Sequence, residues 1–257
     1  MALIQSIPVL TALSYAGTIG FAAMIHGAIG VGFPLVATPL LTLTTDIRTA
    51  IVLLIIPNIA INIASIVNGK KWVESIERFW PLAIYGMIGS LIGTRLLVVV
   101  PADFFRPVLA LMLVLYLNAD RMGIRFPWIR KYPRFALAFW GLLAGILGGT
   151  VNVMLPALVI YTLERGMEKN AMIHVFNMCF LLGKLTQGAV LVHAGLVTAN
   201  VLLLSIPLSI LALTALFLGM RIRDRIPLQA YRLWLKRLLA IMALVLCIQF
   251  IGSIVFV

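Results

Sequence analysis

One lysine stands alone in a long apolar stretch of this chain: Lys184, in the middle of the run 170–192. A charged side chain at the centre of a bilayer-spanning helix costs about 2.5–3.5 kcal/mol on insertion scales, so it faces a cavity or a partner. No carboxylate shares a span with it, because Asp46, Glu74, Glu77, Asp103, Asp120, Glu164, Glu168 and Asp224 all stand at or near segment ends. An unpaired buried cation implies an anionic ligand. At helical spacing His174, Asn177, Lys184 and Gln187 fall on one face, since steps of three and seven residues return to nearly the same direction. The run 49–68 carries a second polar stripe, Asn58, Asn62 and Ser65. Counted from Asn58 and Asn177, the residues Ser65 and Lys184 occupy the same offset. Interhelical hydrogen bonding is the alternative role for these amides and hydroxyls; it leaves the charge of the lysine unexplained.

Two glycine clusters supply the other half of an anion site. Gly27 to Pro39 reads GAIGVGFPLVATP, and Gly145 to Pro156 reads GILGGTVNVMLP, each with a proline seven residues beyond its last glycine. Glycine lowers helix propensity, so each cluster is expected to break a helix. Backbone groups freed there must be covered by protein or a wet cavity. Helices restarting after the breaks would aim N–H groups and partial positive charge at an anion. Asn152 adds a side-chain amide able to donate to an oxyanion, or to cap the helix that follows. The candidate ligands are therefore Lys184, Asn177, His174, Gln187, Asn58, Asn62 and Ser65, with Gly32, Gly149, Thr150 and Asn152 from the breaks. Without buried carboxylates, proton coupling falls to histidine. His26, abutting Gly27, and His174 are the candidates; His193 is expected at the external end of its span.

The elements that position these residues are membrane helices. The chain is 63% hydrophobic and 11% charged, with a mean hydropathy of +1.12. A soluble domain of 257 residues could not hide that surface from water. The opening MALIQSI lacks the basic start of a secretory signal, so no cleaved leader is expected. Apolar segments read 8–27, 33–45, 49–68, 79–99 and 104–119. After a basic connection they resume as 135–148, 153–163, 170–192, 197–219 and 232–256. The net charge of +12 lies in short connections, which is a topology signal and gives no footprint for nucleic acid.

With each glycine break as the tip of a hairpin returning to its own side, one face collects Lys70, Lys71, Arg78, Arg121, Arg125, Arg130, Lys131, Arg134, Arg165, Lys169, Arg221, Arg223, Arg225, Arg232, Lys236 and Arg237. The other face keeps Arg48, Arg95 and Arg106. The first face is then cytoplasmic, both termini are external, and an odd number of segments per half inverts the second half relative to the first. The expected fold is an all-α polytopic membrane protein, a single transmembrane domain over 1–257. It comprises two inverted repeats (1–120 and 134–257) around a basic cytoplasmic linker (121–133), each repeat a glycine-broken helical hairpin plus three transmembrane helices. The hairpin tips are expected near the midplane.

The duplicated glycine–proline motif, with helix connections of this length over essentially the whole chain, resembles the TauE/SafE (TSUP) family of sulfite and organosulfonate membrane transporters. The sequence departs from the family's commoner run of three glycines, having Gly30-Val31-Gly32-Phe33 and Gly148-Gly149-Thr150. The resemblance implies a secondary transporter, an exporter by alternating access, for a small sulfur-containing oxoanion in the bacterial inner membrane. An anion-selective channel for the same substrates is the alternative. The partners expected are a small anion and the lipid bilayer, with no nucleic acid and with homo-oligomer formation left open.

An enzyme is not expected. No span holds a nucleophile with its base, paired carboxylates or a metal-ligand cluster, and no phosphate-binding glycine loop of the Walker type occurs. No cofactor is implied. Cys179 and Cys247 lie in apolar runs and read as small buried hydrophobes. Gly86, Gly89, Ser90 and Gly93 read as a helix-packing face. Trp72, Trp80, Trp128, Trp140 and Trp234 stand near the ends of apolar runs, as interface anchors do.

Overall fold

The computed structural model describes residues 9–69, 72–122 and 126–222, together with the isolated positions Arg237, Ala240 and Leu244. The opening residues, most of the expected segment 232–256, Asp224, Trp234, Cys247 and the basic residues Lys70, Lys71, Arg125, Arg223, Arg225, Arg232 and Lys236 lie outside them. The described elements are all helical: α1 (Val9–Ile29), α2 (Phe33–Thr42), α3 (Ile47–Leu53), α4 (Ile55–Val67), α5 (Trp72–Val99), a short 3-10 turn (Ala102–Phe104), α6 (Phe105–Met122), α7 (Trp128–Lys131), α8 (Pro133–Val151), α9 (Leu155–Glu164), α10 (Lys169–His193) and α11 (Ala199–Ile222).

Among the described residues, five stretches are long and apolar enough to cross a bilayer: Thr11–Ile29, Phe79–Val99, Pro133–Val151, Asn170–His193 and Val201–Ile222. The pair α3 and α4 makes a sixth if its two pieces are one span, and it is bent by 47°. The sequence reading of 49–68 as one plain helix misses that bend, and Pro57 supplies its cause. Proline has no N–H to return to the carbonyl four residues back; here that carbonyl is Leu53 O, and the hydroxyl nearest it, Ser205 Oγ at 3.4 Å, gives its proton mainly to Val201 O at 2.7 Å. α6, expected to span at 104–119, carries Arg106, Asp120 and Arg121 within its 18 residues and is not among these stretches. α2 and α9, ten residues each, reach about 15 Å, half a hydrocarbon core.

The two glycine clusters behave differently. In the first, the chain leaves the helix after Ile29 through Gly30 (φ 97°) and Gly32 (φ 109°), left-handed conformations that only glycine adopts cheaply. In the second, Gly145, Gly148 and Gly149 remain inside α8, and the break falls later, at Asn152 to Met154. The expected helix ends of 148 and 153 are corrected accordingly. Packing is the reason. α8 lies tightly against α5, where a Cβ on Gly145 would fall on the Gly86 carbonyl and one on Gly149 would sit 2.6 Å from the Ser90 carbonyl oxygen. Glycine there permits close approach, and the tertiary contact outweighs its poor helix propensity. Asn152 turns the chain with φ 64°, a region asparagine tolerates. The amides of Asn152 and Val153 both close onto Leu147 O, ending α8.

Contacts cross between the halves reciprocally. α1 packs on α11 while α8 packs on α5, and α4 packs on α11 while α10 packs on α5; α4 and α10 also touch each other. Gly27 and Gly219 make the α1–α11 crossing close in the way that Gly145 and Gly89 do for α8–α5. Apolar side chains such as Leu13, Val99, Leu203 and Ile210 face outward, whereas His26, Asn58, Asn62, Asn177, Lys184 and Gln187 are buried. That inversion suits a lipid surround. At one end, Asp46 caps α3 by accepting from the amides of Arg48 (2.9 Å) and Thr49 (3.0 Å). Arg48 reaches back to the end of α5, donating to Leu97 O at 2.9 Å and to Val100 O, just past the helix, at 3.0 Å, where a cation complements the helix end. Trp80 is exposed as an anchor would be, but Trp140 is buried, stacked on Trp128 and edge-on to Phe126 and Phe139.

Candidate functional site

Lys184 lies nine residues from the end of α10, about 14 Å along the axis and hence deep in the bundle. It is 4% exposed. Its ammonium donates to Gln187 Oε1, one turn on. Gln187 is oriented from outside its own helix: its Nε2 donates to Gly149 O at 2.9 Å and Gly148 O at 3.3 Å. An amide whose nitrogen is committed to two carbonyls must present its oxygen the other way. The glycine pair, expected to offer free N–H groups, thus offers carbonyls that fix Gln187. Gly149 and Thr150 keep their amides within α8, and the Thr150 hydroxyl donates to Ile146 O at 2.8 Å.

The same logic fixes Asn58. Asn62 Nδ2 donates to the Asn58 backbone carbonyl at 2.7 Å and to Asn58 Oδ1. Asn58 Nδ2 is therefore the atom left over, fully buried and without a protein partner. A small cavity joins these groups, lined by Asn58, Ser90, Asn152, Lys184 and Gln187 on its polar side and by Pro34, Met154 and Phe180 on its apolar side, with Gly148 and Gly183. In this conformation it has room for about one water molecule. No carboxylate is among its described lining residues. Ser90 spends its hydroxyl proton on Gly183 O at 2.8 Å.

The first break forms a second polar cluster. His26 Nδ1 accepts from the Phe33 amide at 3.2 Å, at the start of α2, and its Nε2 meets Ser65 Oγ at 3.1 Å. Asn177 Nδ2 donates to Gly30 O at 2.8 Å, tying α10 to that break. Asn152 Nδ2 donates to Thr38 Oγ1 at 2.7 Å, tying the second break to α2. Each break is thus held by a polar side chain from the other half. Proline at the second position of both α2 and α9, Pro34 and Pro156, removes one of the N–H groups expected at each helix start.

Of the residues that the sequence singles out, Lys184, Gln187, Asn58 and Asn152 meet at the cavity, Gly149 reaches it only through its carbonyl on Gln187, and Asn62 stands directly behind Asn58. Ser65, Asn177, His26 and Gly32 belong to the first break. His174 lies ten residues from Lys184, about 15 Å along α10, and is buried against Gly69 at the end of α4. One helical stripe serves two places. Phe180, one turn before Lys184, and Gly183, its immediate neighbour, escape sequence reasoning. Met154, Pro34 and Thr38 flank the breaks and carry no charge to attract notice. Among the described residues no group of His, Cys, Asp and Glu is arranged to hold a metal ion.

The chain matches the family described as sulfite exporter TauE/SafE over residues 15–250. No curated protein and no solved structure matches it.

Proposed function

The chain belongs to the sulfite exporter TauE/SafE family, and from that premise we propose that it is a secondary transporter, an exporter of a small sulfur-containing oxoanion such as sulfite or an organosulfonate. The observation that carries this reading is the Lys184 ammonium beside the unpartnered Asn58 amide, in a buried cavity with no carboxylate among its described lining residues. Both groups donate, as a ligand rich in oxygen acceptors requires. Asn62 acts from behind by occupying the Asn58 oxygens so that the Asn58 donor faces the cavity, and Gln187, in the cavity wall, accepts one N–H of Lys184 and so anchors the ammonium there.

The reciprocal packing of α1 on α11 and α8 on α5 supports two inverted repeats, 1–120 and 134–257, joined by the basic linker 121–133. The ten-residue second arms α2 and α9 favour hairpin tips near the midplane. The sixteen-to-three division of basic residues favours external termini in a bacterial inner membrane. In this conformation the cavity has room for about one water molecule, less than an oxoanion needs, so loading requires the site to widen. A closed site that must open on each turnover is the behaviour of a carrier. His26 pins the start of α2 to Ser65 of α4, which makes it the residue where a proton would bear on that movement.

Purified protein reconstituted into liposomes loaded with unlabelled sulfite should take up labelled sulfite by saturable counterflow. Flux that rises linearly with concentration and shows no counterflow would instead describe a channel. Absence of any sulfite or sulfonate flux would remove the substrate assignment.

A further inference from the structure

We infer that the site selects its ligand by charge state, taking singly charged oxoanions such as hydrogensulfite or a monosulfonate and rejecting doubly charged ones such as sulfate or the sulfite dianion. This deepens the transport reading above and rests on it. Lys184 is the one charged side chain among the described lining residues. The remaining polar groups, Asn58, Ser90, Asn152 and Gln187, are neutral, and Gln187 turns its oxygen toward the ammonium. α10 is packed against α4, α5, α8 and α9. The ionisable residues of those helices whose side chains are described are Glu74, Glu77, Tyr85 and Arg95 on α5, Arg134 on α8, and Tyr161 and Glu164 on α9. α4 has none, and none of these lines the cavity.

One cation in a buried site neutralises one negative charge. A second would lie uncompensated among Met154, Phe180 and Pro34, where an unpaired ion carries its full desolvation cost. Donor supply points the same way. One N–H of Lys184 goes to Gln187 and one of Asn152 to Thr38, leaving two on Lys184, the second of Asn152 and the Asn58 amide for the ligand. Because the Ser90 proton is committed to the Gly183 carbonyl, Ser90 has only lone pairs for a ligand. It can accept from the O–H of hydrogensulfite and has nothing to give a fully deprotonated oxygen.

The test is calorimetric titration of the full-length protein in lipid nanodiscs with sulfite, methanesulfonate and sulfate across the range in which sulfite loses its second proton. Methanesulfonate stays singly charged throughout, so any titration of the protein acts on it and on sulfite alike and cancels in their ratio. The sulfite-to-methanesulfonate affinity ratio should fall about tenfold per pH unit above that ionisation, and sulfate should bind at least about 100-fold more weakly than methanesulfonate. A ratio that stays flat with pH, or sulfate within tenfold of methanesulfonate, overturns the charge-state inference and leaves the oxoanion reading standing. Failure of all three anions to bind overturns both. Ser90→Ala adds a second reading: hydrogensulfite affinity should drop by a several-fold larger factor than methanesulfonate affinity, and an equal loss for both would remove the acceptor role of Ser90.

Discussion

Replacing Lys184 by methionine separates binding from stability. In the wild type the ammonium is buried at a cost of about 2.5–3.5 kcal/mol on insertion scales, and methionine of similar length removes that cost. The loss on the other side is specific. Gln187 Oε1, held toward Lys184 because Gln187 Nε2 is tied to Gly148 and Gly149, is left buried without a donor, a penalty of about 1–3 kcal/mol. The two terms nearly cancel, so Lys184→Met should unfold within about 2 kcal/mol of wild type, and on either side of it. Binding has no such compensation. Removing the charged partner of a desolvated anion costs about 2–5 kcal/mol, or roughly 30- to 4000-fold in affinity. The assay is thermal unfolding of the detergent-solubilised variant, paired with sulfite-protected unfolding and counterflow in liposomes. A variant with normal unfolding and wild-type anion protection refutes the placement of the substrate at Lys184. A variant that cannot be recovered folded refutes the argument that this lysine is a stability burden.

Three further perturbations probe the frame around the site. His26→Phe strands the Phe33 amide and takes the partner from Ser65, and should lower stability by about 1–3 kcal/mol; an unchanged unfolding midpoint would deny His26 its role at the first break. Gly145→Val places atoms on the Gly86 carbonyl and should abolish a monodisperse folded state, whereas Gly17→Ala, with nothing within 4 Å of the new methyl, should be harmless; equal behaviour of the two would remove the close α5–α8 crossing. Asp46→Ala removes the cap of α3 and should cost about 1 kcal/mol at neutral pH. Burial alone would raise the Asp46 carboxyl, but hydrogen bonds from the Thr49 side chain and from the amides of Thr49 and Arg48 outweigh it and hold the carboxyl below its ordinary 3.8. A depressed carboxyl stabilises the fold fully above its unfolded value and loses that contribution as pH falls through the folded one. The gap in midpoint between wild type and Asp46→Ala should therefore narrow once the pH drops below about 3.8, and a gap that widened on acidification would reverse the assignment.

The class of the molecule was legible in composition, because nothing but lipid accommodates this much apolar surface between such short polar connections. Lys184 was legible as well: a lone charge in an oily run is conspicuous in one dimension, and so is the repetition of the glycine–proline motif at matching places in two halves. What the residues of one helix cannot express is what lies across from them. Glycine clusters of the same type break the chain at Gly30 and Gly32 yet stay helical at Gly145 to Gly149, because only the second set is pressed against α5. His174 and Lys184 share a helical face, but the bundle gives the two ends of that face different neighbours, Gly69 at one and the cavity at the other. The direction of each amide is likewise tertiary. Asn58 faces the cavity with a donor because Asn62 occupies its oxygen, and Gln187 turns its oxygen to Lys184 because carbonyls of another helix hold its nitrogen. Sequence supplied the charge and the polar groups, and the packing of α4, α5, α8 and α10 decided which of their atoms face the cavity.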